Sequence, residues 1–138
     1  MKYSKEKKTV LVVDDDLNMR IFISTLLETS GYKAVVVKNG KEVNKKLQEF
    51  YPSLITLDLM MPGEGGILLY QKLKTDEKLK NIPVIVLSGV EEKTFYHSLK
   101  TLGIGLNKLL PEPDEYLEKP PKPAELLRVI ESLINPEI

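Results

Sequence analysis

The sequence predicts an α/β protein with a doubly wound, five-stranded parallel sheet and helices on both faces of the sheet. From residue 9 onward, short apolar runs rich in β-branched residues alternate five times with segments whose apolar residues recur at helical spacing. Three of the runs, VLVV, LITL and VIVL, contain almost no polar residue, which is typical of strands covered on both faces. The 138 residues suffice for one such domain.

Five strands are predicted from the apolar runs, because most of these runs end in polar residues or in a turn signal. In chain order they are Thr9–Asp14, Lys33–Lys38, Ser53–Asp58, Pro83–Ser88 and Glu115–Glu118.

Each strand is followed by a helix, which is predicted from apolar residues that share a face. The first helix ends at Gly31, a suitable C′ residue, and Pro123 suits the first turn of the last helix. The third helix is predicted over Gly66–Thr75 and the fourth over Glu91–Leu102. The apolar residues on which the five predictions rest are, in chain order, Ile21, Leu26 and Leu27; Val43 and Leu47; Leu68, Leu69 and Leu73; Phe95, Leu99 and Leu102; and Leu126, Leu127, Ile130, Leu133 and Ile134.

Two segments fall outside this alternation. Residues 1–8 carry four lysines and little apolar content, which predicts a basic, flexible tail before a single domain over residues 9–138. Residues 103–114 are long for a connection between a helix and a strand, where roughly two to six residues are usual. We interpret them as a surface insertion between the fourth helix and the fifth strand, with a helical turn at Leu106–Leu110.

Composition excludes several classes of function. The chain carries 20 basic and 20 acidic residues, so it lacks the positive excess that binds nucleic acid or an anionic membrane. The absence of cysteine excludes disulfides, thiol nucleophiles and thiolate metal sites. The apolar stretch after the first lysines is too short for a signal sequence, and we expect a cytoplasmic protein. Glycine motifs that bind nucleotides are missing, so ATP is not an expected ligand.

Five polar residues stand at the carboxyl ends of the predicted strands. Asp14 and Asp15 end the first strand, Asp58 ends the third, Ser88 ends the fourth and Lys119 follows the fifth. Ligands of open α/β sheets bind at this edge, and three carboxylates that converge there require a cation. Mg²⁺ suits such a site, with Mn²⁺ as a substitute. A hydroxyl and an ammonium opposite the metal complete a cradle for a phosphoryl group, which the Asp58 carboxylate can accept.

Each of these residues also has an ordinary structural interpretation. The acidic pair can serve as a helix N-cap, Asp58 as a turn residue, Ser88 as a cap of the fourth helix and Lys119 as a solvated lysine. Independent caps need not fall on one edge of one sheet, so the combination favours a phosphoryl site. His97, the only histidine, lies within the fourth helix and is interpreted as a surface or partly buried residue rather than a phosphotransfer histidine.

Four motifs in this order and spacing, VLVVDDD, LITLDLMMPGEGG, VIVLSG and YLEKP, resemble the receiver domains of two-component response regulators, including those of the chemotaxis type. The resemblance covers residues 9–135. It implies a flavodoxin-like strand order 2-1-3-4-5 and a signalling switch rather than an enzyme with a separate substrate. The implied donor is a phosphohistidine on a sensor histidine kinase or a phosphotransfer protein. The domain would catalyse only its own phosphorylation and dephosphorylation.

The resemblance also implies roles for residues at the metal and at the acceptor. Asp58 matches the phosphoacceptor, and Asp14 and Asp15 match the acidic pair that holds Mg²⁺ together with it. The backbone carbonyl of Met60 matches the remaining protein ligand. Met60 and Val90 also match positions that flank the phosphoryl group and influence its hydrolysis. Because both side chains are apolar and cannot orient a water molecule, we expect a long-lived phospho-Asp58.

Other implied roles concern the switch. Ser88 and Lys119 match the residues that sense the phosphoryl group, and Tyr116 matches an aromatic residue that follows Ser88 inward; a rim tyrosine without a switching role is the alternative. The Lys119–Pro120 peptide is expected to be cis. The implied output face consists of the fourth helix, fifth strand and fifth helix, where an unknown downstream protein or a second copy of the chain would bind. The 103–114 insertion alters this face, so its partner cannot be transferred from relatives.

Two rival functions remain at the level of sequence. A Mg²⁺-dependent phosphatase of the haloacid-dehalogenase type also uses an aspartyl nucleophile on an α/β sheet, although this chain has no room for a cap domain. A pseudo-receiver, which binds partners without ever being phosphorylated, is the second rival. Labelling by acetyl phosphate, as opposed to turnover of a phosphomonoester, separates these possibilities.

Overall fold

The computed structural model describes residues 7–59, 65–105 and 110–136 of the chain. In chain order the elements are β1 (Thr9–Val13), α1 (Leu17–Thr29), β2 (Lys33–Val37), α2 (Gly40–Glu49), β3 (Leu54–Leu57), α3 (Gly66–Thr75), β4 (Val84–Ser88), α4 (Glu92–Gly105), β5 (Glu115–Glu118) and α5 (Pro123–Ile134). All paired strands are parallel, and the sheet order β2-β1-β3-β4-β5 confirms the predicted topology. No helix in the described ranges is both long and apolar enough to cross a membrane.

The sheet separates two apolar cores. One core lies between the sheet and helices α1 and α5, and its largest contribution from α1 comes from Ile23 and Leu27. The other core lies beneath α2, α3 and α4, and it includes the aromatic residues Tyr70, Phe95 and Tyr116. Because β1, β3 and β4 are buried on both faces, they need apolar residues at nearly every position, as their sequences show.

The strand register places several polar residues at one edge of the sheet. Val13 lies beside both Val37 and Leu57, so β1 and β3 end at the same level. The ladder continues for one more bond at the site: the Asp58 N–H donates to the Val13 carbonyl at 2.9 Å. Likewise the Lys119 N–H donates to the Ser88 carbonyl at 2.8 Å. The backbone of the sheet therefore carries these residues to a common edge.

Helix α1 has well-defined ends. Asp16 is its N-cap and accepts the Asn18 N–H at 3.0 Å. At the other end, Gly31 has φ +92°, a left-handed conformation, and the N–H groups of Gly31 and Tyr32 donate to the Glu28 and Leu27 carbonyls. This pattern is a Schellman motif, which confirms the predicted end at Gly31.

The predicted inward faces of α1 and α3 are partly wrong. Ile21 is 52% exposed, and α1 buries Ile23 together with Leu27 instead. Similarly, Leu68 is 47% exposed, whereas Leu69, Tyr70 and Leu73 face the core. Both helices carry more apolar residues than one face can hold, so apolar content alone did not identify the buried side.

The first residues of the predicted insertion at 103–114 are helical. Helix α4 runs to Gly105, three residues beyond its predicted end at Leu102, and so includes the first residues of the predicted insertion. Residues 106–109, on which the predicted turn at Leu106–Leu110 rests, lie outside the described residues. Leu110 is buried, and the Tyr70 hydroxyl donates to the Pro111 carbonyl at 2.6 Å. The end of this segment is therefore packed against α3.

Asp114 fixes the same segment to β4. Its N–H donates to the Val84 carbonyl at 3.0 Å, and its carboxylate accepts the Val84 N–H at 2.8 Å. Lys74 of α3 lies 3.8 Å from that carboxylate, and burial lowers the pKa of Lys74 while Asp114 partly offsets the shift. Asp114, which immediately precedes β5, is thus hydrogen-bonded to β4 and lies beside a lysine of α3.

The N-terminal tail is shorter than predicted. The Lys8 carbonyl accepts the Lys33 N–H at 2.9 Å, which extends the sheet ladder into the predicted tail 1–8. The Lys8 ammonium also lies 3.4 Å from the Ile134 carbonyl, at the C-terminal end of α5, where a positive charge is favourable. Residues 1–6 lie outside the described residues.

Candidate functional site

Three carboxylates converge at the edge of the sheet where β1 and β3 end. Asp14, Asp15 and Asp58 each offer a carboxylate oxygen, and these oxygens lie within 4.8 Å of one another. Asp14 and Asp58 are only 1% and 3% exposed, whereas Asp15 faces solvent. Such an oxygen cluster, open on one side, has the donor set that a hard divalent cation prefers.

The backbone around Asp14 is fixed by three further contacts. The Asp14 N–H donates to the Val37 carbonyl at 3.1 Å, and Asp14 Oδ1 accepts the Asp16 N–H at 2.9 Å. Arg20 Nη1 donates to the Asp14 carbonyl oxygen at 2.9 Å. Since Asp16 is the N-cap of α1, the interpretation of Asp14 and Asp15 as a helix cap is wrong.

Lys119 faces the carboxylates across the site. Its Nζ lies 2.8 Å from Asp14 Oδ2 and 3.4 Å from Asp58 Oδ2, and its side chain is 19% exposed. Burial by itself lowers the pKa of Lys119, but the hydrogen bond and charge of Asp14, together with Asp58, outweigh it and raise the pKa. Lys119 is therefore a paired cation of the site and not a solvated lysine. The Lys119–Pro120 peptide is cis, as expected.

Ser88 and Tyr116 line the side of the site next to α4. Ser88 is fully buried, and its hydroxyl oxygen accepts the Val90 N–H at 3.1 Å, within the loop before α4. This contact is a local turn, so the hydroxyl does not cap α4, which begins at Glu92. The Tyr116 hydroxyl donates to the Val90 carbonyl. The β4–α4 loop is thus bonded both to Ser88 and to Tyr116.

Tyr116 points inward. It is 5% exposed, and its ring centroid lies 5.2 Å from that of Phe95 and 6.2 Å from that of Tyr96. Burial is the main cause that raises the pKa of Tyr116, and a hydrogen bond with Ser88 opposes the shift. Tyr116 therefore does not lie at the rim, and its switching role stays a prediction.

Other predicted residues have different outcomes. Met60, whose carbonyl was expected to be a metal ligand, lies outside the described residues, as do residues 61–64. Val90 is half-buried in the β4–α4 loop. His97 is exposed on α4, which agrees with its interpretation as a surface residue.

Sequence reasoning missed Arg20 and Gly66. A Cβ atom at Gly66 would lie 2.4 Å from the Leu59 Cα and 2.6 Å from the Asp58 carbonyl oxygen, so only glycine fits against the backbone that follows Asp58. The glycines after Asp58 are the sequence signal that could have identified this close approach. The contact of Arg20 with the Asp14 carbonyl has no such signal, since an arginine in the first turn of a helix is ordinarily a surface residue.

Comparisons with known proteins agree with this geometry. The sequence model of the family described as response regulator receiver domain matches residues 10–131. The phosphate regulon transcriptional regulatory protein PhoB of Pseudomonas aeruginosa is 33% identical over 93% of this chain and 52% of its own length. The polar-differentiation response regulator DivK of Brucella ovis is 29% identical over 94% of this chain and 97% of its own length.

A solved structure of a receiver domain has a similar fold. The signal receiver domain of a signal transduction histidine kinase from Syntrophus aciditrophicus superposes with a TM-score of 0.79 at 27% identity, over 94% of this chain and 92% of that domain. The chain spans about half the length, or less, of several of the curated relatives it matches. By fold, by acidic site and by family match over residues 10–131, this chain belongs to the response regulator receiver domains of two-component signalling systems.

Proposed function

We propose that this receiver domain accepts a phosphoryl group on Asp58 from the phosphohistidine of a sensor histidine kinase or of a phosphotransfer protein. The observation that carries the proposal is the acidic cluster itself: three carboxylates within 4.8 Å, two of them in contact with Lys119. Membership of the receiver family removes the phosphatase alternative. Under this proposal the chain is a switch that catalyses only its own phosphorylation and dephosphorylation.

The cluster also supports a metal requirement. Asp14, Asp15 and Asp58, with the Met60 carbonyl that lies outside the described residues, would hold Mg²⁺ or Mn²⁺. All are oxygen ligands, and the close approach of their carboxylates is repulsive without added positive charge. When bound at these residues, the ion would supply positive charge for the phosphoryl oxygens beside Asp58.

The chain's own residues then position the transfer. A carboxylate oxygen of Asp58 forms a bond to phosphorus while the bond from phosphorus to the donor's imidazole nitrogen breaks, and the electron pair stays on that nitrogen. Lys119 Nζ lies 3.4 Å from Asp58 Oδ2, which is close enough for the ammonium to pair with a phosphoryl oxygen on Asp58. The Ser88 hydroxyl, buried beside the same edge, can donate to another.

Ser88 and Tyr116 form the switch in this proposal. Both groups contact the β4–α4 loop, Ser88 through the Val90 N–H and Tyr116 through the Val90 carbonyl. A hydroxyl that turns towards a phosphoryl group would change this loop and bias the position of Tyr116. The response would reach the face formed by α4, β5 and α5, where a downstream protein or a second copy of the chain would bind.

The direct test is intact mass after incubation with acetyl phosphate and Mg²⁺. Wild type is expected to gain one phosphoryl group per chain, and Asp58→Asn to gain none. Chelation of the metal should prevent the gain in wild type. A pseudo-receiver would show no gain under any condition, and equal labelling of Asp58→Asn would place the acceptor elsewhere. Size-exclusion chromatography of both forms then reports whether phosphorylation drives dimerisation.

We also propose that phospho-Asp58 is long-lived, because the apolar Val90 and Met60 cannot orient an attacking water. Val90→Glu and Met60→Asn are expected to speed the decay of the acyl phosphate, followed as loss of the added mass after removal of the donor. Val36→Glu, which places the same group on the exposed part of edge strand β2, is the control and should decay at the wild-type rate. Unchanged decay in both site variants would contradict the proposal.

A further inference from the structure

Arg20 joins the start of α1 to the end of β1. It is half-buried in the first turn of α1, where its N–H donates to the Asp16 carbonyl at 3.0 Å as part of the helix. Its guanidinium reaches back past the helix start, and Nη1 donates to the Asp14 carbonyl oxygen at 2.9 Å. Arg20 therefore connects two segments on either side of the acidic pair.

The contact bears directly on Asp14. Asp14 Oδ2 faces Lys119, a partner that must also serve the phosphoryl group under the proposed function. Asp14 Oδ1 accepts the Asp16 N–H, and that bond keeps its geometry only while the Asp14 main chain stays in place. Within the part of the chain that the structure describes, Arg20 is the side chain that donates to the Asp14 main chain. Neither end of this bond belongs to Asp58.

Charge and shape both suit an arginine here. Three carboxylates converge here and Lys119 pairs with two of them, so a further cation beside Asp14 reduces the repulsion that would spread the carboxylates apart. Arginine stays charged at all relevant pH values, and its planar group presents several N–H donors in a fixed arrangement. Lysine would supply the charge without that arrangement.

We propose that Arg20 is a positioning residue for phosphoryl acceptance, because it holds the Asp14 main chain so that Asp14 and Asp15 stay within reach of Asp58. The inference rests on the proposed function for its effect on phosphorylation. Its structural part, the fixed Asp14 backbone, stands without any metal or phosphodonor.

The test compares three variants. Arg20→Met keeps the length of the side chain but removes its charge and donors, Arg20→Lys keeps the charge, and Arg128→Met makes the same change on the exposed face of α5 as a control. The first measurement is hydrogen exchange of the Asp16 amide in metal-free protein, relative to amides of the central strand β1. In Arg20→Met this exchange is expected to be about fivefold faster, because the acceptor Asp14 Oδ1 is no longer held.

The second measurement is the Mg²⁺ concentration that half-saturates the rate of labelling by acetyl phosphate. In Arg20→Met it is expected to rise about tenfold, as for loss of an outer partner of a metal ligand, with one phosphoryl group still gained at high Mg²⁺. Arg20→Lys should recover part of the loss, and Arg128→Met should match wild type.

The outcomes separate the two ideas. An Arg20→Met variant that matches Arg128→Met in both measurements overturns the inference. So does a lower Mg²⁺ requirement in Arg20→Met, because Arg20 would then act only as a charge that repels the ion. If wild type is not labelled at all, the proposed function fails, and unchanged Asp16 exchange would still decide against the positioning role.

Discussion

Replacing Gly66 with alanine is expected to slow the phosphorylation of Asp58 by about a hundredfold, since small misplacements of a reacting group have effects of this size. The added Cβ would lie 2.4 Å from the Leu59 Cα, 2.6 Å from the Asp58 carbonyl oxygen and 2.7 Å from the Leu59 carbonyl oxygen. These are backbone atoms and cannot rotate away, so the backbone at residues 58–59 or the start of α3 must move. The Gly66 N–H bond to the Leu59 carbonyl, 3.1 Å, would be strained by the same movement.

The preceding glycine provides a matched control. A Cβ at Gly65 meets no atom within 4 Å, and Gly65 is the N-cap of α3 with an ordinary extended conformation. Gly65→Ala should therefore label at close to the wild-type rate. Both variants are compared by the rate of mass gain with acetyl phosphate and by urea unfolding, where Gly66→Ala should lose about 1–3 kcal/mol through overpacking. Labelling of Gly66→Ala within about threefold of wild type would mean that this close packing does not position Asp58.

The fold was predictable because strand signals were strong. The runs that became β1, β3 and β4 are apolar and β-branched, and the observed strands end within about one residue of the predicted ends, as expected for strongly patterned segments. Helix faces were less predictable. In α1, Ile21 and Ile23 are equally apolar and lie two positions apart, on opposite sides of the helix, and only contact with the sheet decides that Ile23 is buried.

The site was predictable to the extent that it follows from topology. Parallel strands bring their carboxyl ends to one edge, so Asp14, Asp58 and Lys119 could be placed together from the sequence. The hydrogen bonds that the side chains make could not be predicted from the sequence. Asp14 and Asp16 are two residues apart, and which of them caps α1 depends on where the helix starts. The Arg20 contact depends on a side chain that turns back towards β1, which periodicity does not describe.

The interpretation of residues 103–114 as a surface insertion shows another limit of prediction from the sequence. The prediction rested on length, because the segment fits no regular pattern well and is long for a connection between a helix and a strand. The bonds that hold Pro111 and Asp114 come from α3 and β4, which are distant in sequence, and Leu110 belongs to the core that contains Tyr70. Since Tyr70 also contacts Phe95, and Phe95 contacts Tyr116, residues 110 and 111 lie against the same aromatic cluster as the proposed switch.

Replacing Lys119 with methionine is expected to lower the free energy of unfolding of the metal-free protein by about 3 kcal/mol, near the low end for breaking a buried ion pair. Asp14 and Asp58 are almost fully buried and would lose the ammonium that lies 2.8 Å and 3.4 Å from their carboxylates. Methionine preserves most of the apolar stem, so lost packing contributes little. Urea unfolding at neutral pH in the presence of a chelator measures the change.

Lys80→Met is the matched control. Lys80 Nζ lies 3.0 Å from Glu77 Oε2, a distance similar to that between Lys119 and Asp14, but both side chains of this pair are exposed. Its loss should change the free energy of unfolding by less than about 0.5 kcal/mol. The shorter distance and the substitution are nearly the same in the two cases, which differ in burial and in the second carboxylate, Asp58, that Lys119 also contacts.

Mg²⁺ is expected to act differently on wild type and Lys119→Met, because a divalent cation and the Lys119 ammonium both neutralise the same carboxylates. Wild type gains stability from Mg²⁺ only to the extent that the ion can compete with Lys119 for Asp14, whereas Lys119→Met offers the cluster with that competitor removed. The stabilisation by Mg²⁺ should therefore be larger in Lys119→Met than in wild type, and most of the loss seen with the chelator should be recovered. Equal stabilisation of both proteins would show that the ion and the ammonium do not compete for Asp14, and no stabilisation of either protein would contradict a metal at this site.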